Sequence, residues 1–185
     1  MSKLVLVTGG ARSGKSSFAE KFVKDISNNP LYVATAIAFD DEMKARINKH
    51  KINRGDEFKT LERYKDFRKV NLQTFKYIDS ILLDCITVML TNIMMEFFKE
   101  DDFVQKIDED AFEQRAIKEI EDMLDIFKSN VNNIVIVTNE IGMGIVPENY
   151  IARVFRDIAG RINQLVAKQA DEVYYCVCGI SNKIK

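Results

Sequence analysis

The sequence predicts an α/β fold, a mostly parallel sheet flanked by helices, on three observations. Short apolar runs recur along the 185 residues with amphipathic segments between them, the alternation of strands that pair in parallel with helices that cover them. The pattern G-x-x-x-x-G-K-S/T directly follows the first run and opens the first amphipathic segment. With 46% apolar residues and no Pro/Gly-rich linker, repeat or low-complexity tract, the chain suits one core. We therefore expect a single domain over residues 1–185.

The first run, Leu4–Val7, ends at Gly9-Gly10-Ala11-Arg12-Ser13-Gly14-Lys15-Ser16. Backbone N–H groups of such a loop close around phosphate oxygens, and a side chain at Gly9 or Gly14 would obstruct that approach. Lys15 reaches the β/γ-phosphates and Ser16 offers a hydroxyl to Mg²⁺. Ser16 to Val23 continues with helical spacing, so a helix N-terminus faces the anion. Strand, loop and helix in this order predict a P-loop NTPase fold.

Further buried strands are expected at Leu31–Ala34, Ile81–Leu83, Ile134–Val137 and Val173–Val177. A helix is expected from Asp110 to Lys128, with Phe112, Ala116, Ile120, Met123, Leu124 and Phe127 as its stripe. Another is expected from about Glu148 to Ala167, where Gly160 suggests close packing. The acidic stretches Glu100-Asp101-Asp102 and Asp108-Glu109-Asp110 read as solvated connections.

Net charge is −1 from 27 basic and 28 acidic residues, which gives no electrostatic case for nucleic acid or an anionic membrane. No apolar run reaches membrane-spanning length. Met1 to Val5 runs straight into the first strand with no room for a signal peptide. Cys85, Cys176 and Cys178 sit in apolar, strand-like runs, which predicts buried reduced thiols and a cytosolic compartment.

Three segments can carry chemistry besides the loop. Ile81-Leu82-Leu83-Asp84 ends in a carboxylate placed to hold Mg²⁺ through its water shell beside Ser16; the alternative is a helix cap. His50, the single histidine, lies in a basic segment that reads as a helix from near Asp40. Arg46, His50 and Arg54 there fall within about 80° of arc. A neutral imidazole is a nucleophile and guanidiniums can neutralise phosphorane charge, although a solvated surface histidine fits those residues alone. Thr138 to Pro147 follows a strand's carboxyl end, where ligands bind in open α/β sheets. It exceeds the usual loop of about 4 to 6 residues, so we expect it to serve as a substrate loop or lid. A guanine-reading Asn-Lys-x-Asp is absent, Asn139 being followed by Glu140.

Together these segments resemble the bifunctional adenosylcobinamide kinase / adenosylcobinamide-phosphate guanylyltransferase family of cobalamin biosynthesis. The resemblance is nearly full length. It covers Leu6 to Ser16, Tyr32 to Ala36, Asp41-Glu42-Met43 with Arg46-Ile47 and His50 to Arg54, and Leu83 to Thr87. It continues through Thr91-Asn92, Val137 to Asn149, Arg156 to Gln164 and Gly179 to Lys185. Phe58-Lys59-Thr60-Leu61-Glu62 stands where the family carries W-x-T-x-E, and Ser181 where a proline is common.

The resemblance implies that His50 is guanylylated. It also implies nucleotide contacts from Gly9 to Ser16, from Ala34, Thr35 and Ala36, from Lys51, Ile52, Asn53 and Arg54, from Glu62 and from Asp84. Adenosylcobinamide is then phosphorylated from ATP or GTP, and GMP is transferred from GTP to its phosphate by way of His50. A homo-oligomer follows too, trimeric in relatives with the site near subunit boundaries. Two other readings stay open on the residues alone: a single-function P-loop small-molecule kinase with an inert His50, and a nucleotide-dependent binding module or switch.

Overall fold

The computed structural model describes residues 2–37, 57–98 and 106–185. Among them runs one sheet of seven strands in the order β3-β2-β4-β5-β1-β6-β7. Its strands are β1 (Lys3–Gly9), β2 (Pro30–Ala34), β3 (Lys59–Glu62), β4 (Ser80–Asp84), β5 (Asn133–Val137), β6 (Glu172–Val177) and β7 (Ile180–Lys183). All neighbouring pairs are parallel except β6 with β7. The five expected strands are present, each extended by one or more residues. The expected α/β, mostly parallel P-loop architecture is the observed one.

Successive residues of the central strands point to opposite faces, and both faces are buried. Leu4, Leu6, Ile81, Leu83, Ile134 and Ile136 join one core; Val5, Val7, Leu82, Val135 and Val137 join the other. Continuous apolar runs therefore suit these positions better than alternation. Helix α1 (Lys15–Ile26) covers the second face through Ala19 and Val23. Helices α2 (Ile86–Met95), α3 (Glu109–Asn130) and α4 (Tyr150–Gln169) contribute to the larger core on the first.

Local chemistry fixes the helix ends. Asp108 caps α3 by accepting from Ala111 N (3.0 Å), with Glu109 and Asp110 in the first turn and Lys128 in the last, each matched to the helix dipole. Asn149 caps α4 through Ala152 N (2.9 Å). The α3 stripe also carries one carboxylate, the buried Glu119. It is balanced by Arg115 (2.9 Å) and by the backbone N–H of Asp66 (2.8 Å), as a buried charge requires.

Two expectations are corrected. Outside its own stretch of helix, a Cβ on Gly160 would meet no atom of the described residues within 4 Å, so no close packing among them demands glycine there. Cys85 and Cys176 are buried free thiols, but Cys178 is exposed because it sits in the turn between β6 and β7. That turn, Cys178-Gly179, has positive φ at both residues, 52° and 80°, the backbone of a two-residue type I′ hairpin.

The hairpin is pinned across three strands. Glu172 accepts from Lys3 of β1 and Lys183 of β7 at 2.9 Å each, and from the Tyr174 hydroxyl (3.0 Å). The Lys183 and Lys3 hydrogen bonds hold its carboxyl down at about 2. A depressed carboxylate stabilises the fold above its unfolded pKa of about 4.3, and that contribution fades as pH falls toward the folded value. Both lysines are partly exposed, so solvent screening reduces it. Glu172→Gln is expected to cost about 1 kcal/mol at pH 7 by urea unfolding, with the gap to the parent narrowing as pH drops below about 5.

Candidate active site

The carboxyl ends of β1, β2, β3, β4 and β5 lie on one edge of the sheet, and the sequence-expected residues gather there. Ala34, Asp84, Val137 and Val7 stand in lateral register across β2, β4, β5 and β1. The phosphate loop follows β1, Asp84 closes β4, Thr138-Asn139-Glu140 follow β5, and Glu62 closes β3. His50, Lys51, Ile52, Asn53 and Arg54, with Arg46, lie outside the described residues.

The loop is shaped by close approach from below. A Cβ on Gly9 would lie 2.4 Å from the Cys176 carbonyl oxygen of β6, and one on Gly14 (φ +91°) 2.9 Å from Gly179 Cα. Neither neighbour is a flexible side chain, so both positions require glycine. Gly179 N donates to Ser13 O (2.9 Å), which seats the phosphate loop on the C-terminal hairpin turn. Sequence reasoning attached no function to that hairpin; its signal was the single glycine between two short extended runs.

Helix α1 starts at Gly14 with no side-chain cap and no acidic residue in its first turn. Its first N–H groups are therefore available to an anion rather than to the protein. Lys15 is buried and its Nζ donates to Gly10 O (3.0 Å), arching over the loop. The Ser13 hydroxyl is buried with no hydrogen-bond partner among the described residues.

Asp84 accepts from the Tyr32 hydroxyl of β2 (3.2 Å). The N-cap of α2 is Cys85, with no side-chain cap bond, so Asp84 is not spent on capping. The Cys85 thiol is pushed up to about 12, first by burial and then by the neighbouring Asp84 carboxylate. Burial likewise raises the Cys176 thiol. Both are neutral near pH 7 and neither is a nucleophile.

A polar network holds this edge from behind. Thr35 Oγ1 donates to Cys85 O (2.8 Å) and accepts from Cys85 N (2.9 Å), and Asn92 donates to Thr35 O (2.7 Å). Thr87 Oγ1 accepts from Asn139 N (2.8 Å). Thr138 Oγ1 donates to Asn163 Oδ1 (2.7 Å), and Asn163 donates to Asn139 O (3.1 Å). Glu140 N donates to Gly9 O (3.1 Å). The strand ends bearing Asp84 and Glu140 are thus tied to α2, α4 and the loop. Thr87, Asn92, Thr138 and Asn163 were missed as support residues; their signal is polarity inside apolar stretches.

Beyond Glu140, the loop to Pro147 presents Met143, Ile145 and Val146, with Ile145 97% exposed. Phe58 packs edge-on against Tyr32 (6.1 Å between centroids), so an aromatic fills the place of the family tryptophan. Among the described residues, no group of three or more His, Cys, Asp or Glu is arranged to hold a metal, and no helix is long and apolar enough to cross a membrane.

Residues 5–184 match the family described as "Cobinamide kinase / cobinamide phosphate guanyltransferase". The chain belongs to this family. Its relatives include the bifunctional adenosylcobalamin biosynthesis protein CobU of Escherichia coli K12, 43% identical over 98% of this chain and 99% of the relative. The CobU of Salmonella typhimurium LT2 is 45% identical over the same shares. CobP of Pseudomonas aeruginosa PAO1 is 32% identical over 97% of this chain and 96% of its own. A solved structure, the flagellar accessory protein FlaH from Methanocaldococcus jannaschii, aligns with TM-score 0.45 and 16% identity over 98% of this chain and 75% of that one, too loose a likeness to bear on activity. The family match thus spans nearly the whole of this architecture, from within β1 to the hairpin under the phosphate loop.

Proposed function

We propose that this chain phosphorylates adenosylcobinamide and then converts the product to adenosylcobinamide-GDP, using one nucleotide apparatus for both steps. The observation that carries this reading is the family match over residues 5–184, which extends far beyond the phosphate loop that any nucleotide kinase would share.

In the first step the aminopropanol hydroxyl of the corrinoid attacks the γ-phosphate of ATP or GTP. The N–H groups of residues 9–16 and the Lys15 ammonium stabilise charge on the transferring group. The uncapped start of α1 and the buried Ser13 hydroxyl, which has no partner among the described residues, support anion binding there. Ser16 and Asp84 suit Mg²⁺, a hard cation that keeps several waters and takes few protein oxygens, so a three-residue cluster is not needed. When bound, that ion offsets charge on the phosphate oxygens. Ala34, Thr35 and Ala36, of which Thr35 is anchored by Cys85 and Asn92, would frame the nucleotide together with Glu62.

In the second step His50 attacks the α-phosphate of GTP, pyrophosphate leaves, and a phosphoramidate forms whose leaving group is imidazole. The corrinoid phosphate then displaces His50 and takes the GMP. Lys51 to Arg54 follow His50 closely enough in sequence to contact the same nucleotide. The exposed Met143, Ile145 and Val146 give the corrinoid an apolar surface at the sheet edge. A homo-oligomer, trimeric as the resemblance implies, would complete the site from neighbouring subunits.

Product analysis separates this reading from a single-function kinase. Incubation with adenosylcobinamide, GTP and Mg²⁺ is expected to yield both a diphosphate nucleotide and pyrophosphate, with the corrinoid recovered as its GDP derivative. Corrinoid phosphate without pyrophosphate would reduce the chain to a kinase, and an unmodified corrinoid would favour a nucleotide switch.

A further inference from the structure

The kinase step needs an acceptor for the proton of the attacking hydroxyl, and we infer that this acceptor is Glu140. The inference rests on the kinase reading above and assigns a role within it. Among the described residues, three carboxylates close or follow strands on the reactive edge: Glu62 at the end of β3, Asp84 at the end of β4 and Glu140 after β5. Strand order decides among them. Neighbouring strands lie about 4.8 Å apart, so β3, four places from β1 in the sheet, stands about 19 Å from the strand that carries the phosphate loop. Asp84, two places away, stands about 10 Å off and is turned to the Tyr32 hydroxyl. Glu140 follows the strand paired directly with β1, and its own N–H is bonded to the carbonyl of Gly9, the first loop residue (3.1 Å).

The backbone leading to Glu140 is fixed on both sides. Thr87 holds the N–H of Asn139 and Asn163 holds its carbonyl. The Glu140 side chain is oriented as well: Oε1 accepts from Gly142 N (2.7 Å), and the group is half-buried. Glu140 is thus joined through its backbone to the loop that would hold the γ-phosphate and through its carboxylate to Gly142, next to the apolar segment Met143 to Val146 that the corrinoid would approach. In the step, the hydroxyl O–H bond breaks and its proton passes to the Glu140 carboxylate. An O–P bond to the γ-phosphorus forms, and the bond from that phosphorus to the β-phosphate oxygen breaks, its electron pair leaving on the diphosphate nucleotide. The proton is then released to water.

Glutamine at 140 is the deciding substitution, because its carbonyl oxygen can still accept from Gly142 N while the side chain cannot take up a proton. With adenosylcobinamide and GTP, Glu140→Gln is expected to lower the kinase kcat by about 10²-fold or more, with KM for GTP within about threefold of the parent. Uptake of GMP from GTP, which involves no corrinoid hydroxyl, should persist, and Glu140→Asp should recover a substantial part of the kinase rate. If Glu140→Gln phosphorylates the corrinoid at the parent rate, or loses nucleotide binding altogether, the carboxylate only shapes the loop and the inference is overturned. Failure of the parent protein itself to phosphorylate the corrinoid would instead overturn the kinase reading.

Discussion

Lys15→Ala is expected to lower both the kinase and the guanylyl-transfer rates by about 10³-fold or more, because each reaction develops charge on phosphate oxygens within reach of one ammonium. The reason is positional. Lys15 is buried in the first turn of α1 and bonded to Gly10 O, so its charge is preorganised at the loop with little side-chain freedom left to lose. Alanine is a good helix former, and α1 is otherwise anchored by Ala19 and Val23, so the variant should fold. Circular dichroism checks the fold, and release of diphosphate nucleotide and of pyrophosphate checks the two rates. A variant that lost only one of the two activities would mean that the reactions use different phosphate sites.

The second large effect divides the activities instead of abolishing both. His50→Asn keeps a polar side chain of similar size but removes the nucleophile, so guanylyl transfer should fall by about 10³-fold or more. The kinase step has no covalent intermediate on His50, and the corrinoid should accumulate as its phosphate. Chromatography of the corrinoid products with ATP as phosphate donor and GTP present reads this directly. Conversion to the GDP derivative by His50→Asn would show that GMP passes to the corrinoid without this histidine.

Much of the fold was legible because the relevant signals are local. Leu4–Val7, Ile81–Leu83 and Ile134–Val137 are apolar runs of strand length, and α3 and α4 show helical periodicity. Two strands escaped for physical reasons. β3, Lys59–Glu62, is an edge strand with a largely exposed set of side chains, so it has no apolar run to reveal it. β7 pairs only with β6, and its turn is Cys178-Gly179 rather than an Asn-Gly or Asp-Gly signal. Helix α2 buries Ile86, Met89, Leu90, Ile93 and Met94 along one face, but Val88 and Met95 on its other sides are apolar too and no charged residue lies between Ile86 and Met95, so the stripe does not stand out from its surroundings.

The site divides in the same way. The phosphate loop is a contiguous motif and could be read residue by residue, and Asp84 is marked by the strand it ends. The position of Glu140 beside β1 depends on β5 entering the sheet between β1 and β4, a long-range pairing that no local pattern encodes. The supporting bonds of Thr35, Thr87, Asn92 and Asn163 likewise join residues at least 24 positions apart. His50 carries the opposite lesson, since its basic surroundings alone suit a solvated helix and only the resemblance distinguished it.

The central claim is that one phosphate loop serves both phosphoryl transfer and guanylylation of His50. Intact-protein mass spectrometry after incubation with GTP and Mg²⁺, without corrinoid, tests it most directly. The parent protein is expected to gain the mass of one GMP in an acid-labile linkage, and neither His50→Asn nor Lys15→Ala should gain it. An adduct of the same mass on His50→Asn, or no adduct on a parent protein shown to bind GTP, would contradict the account.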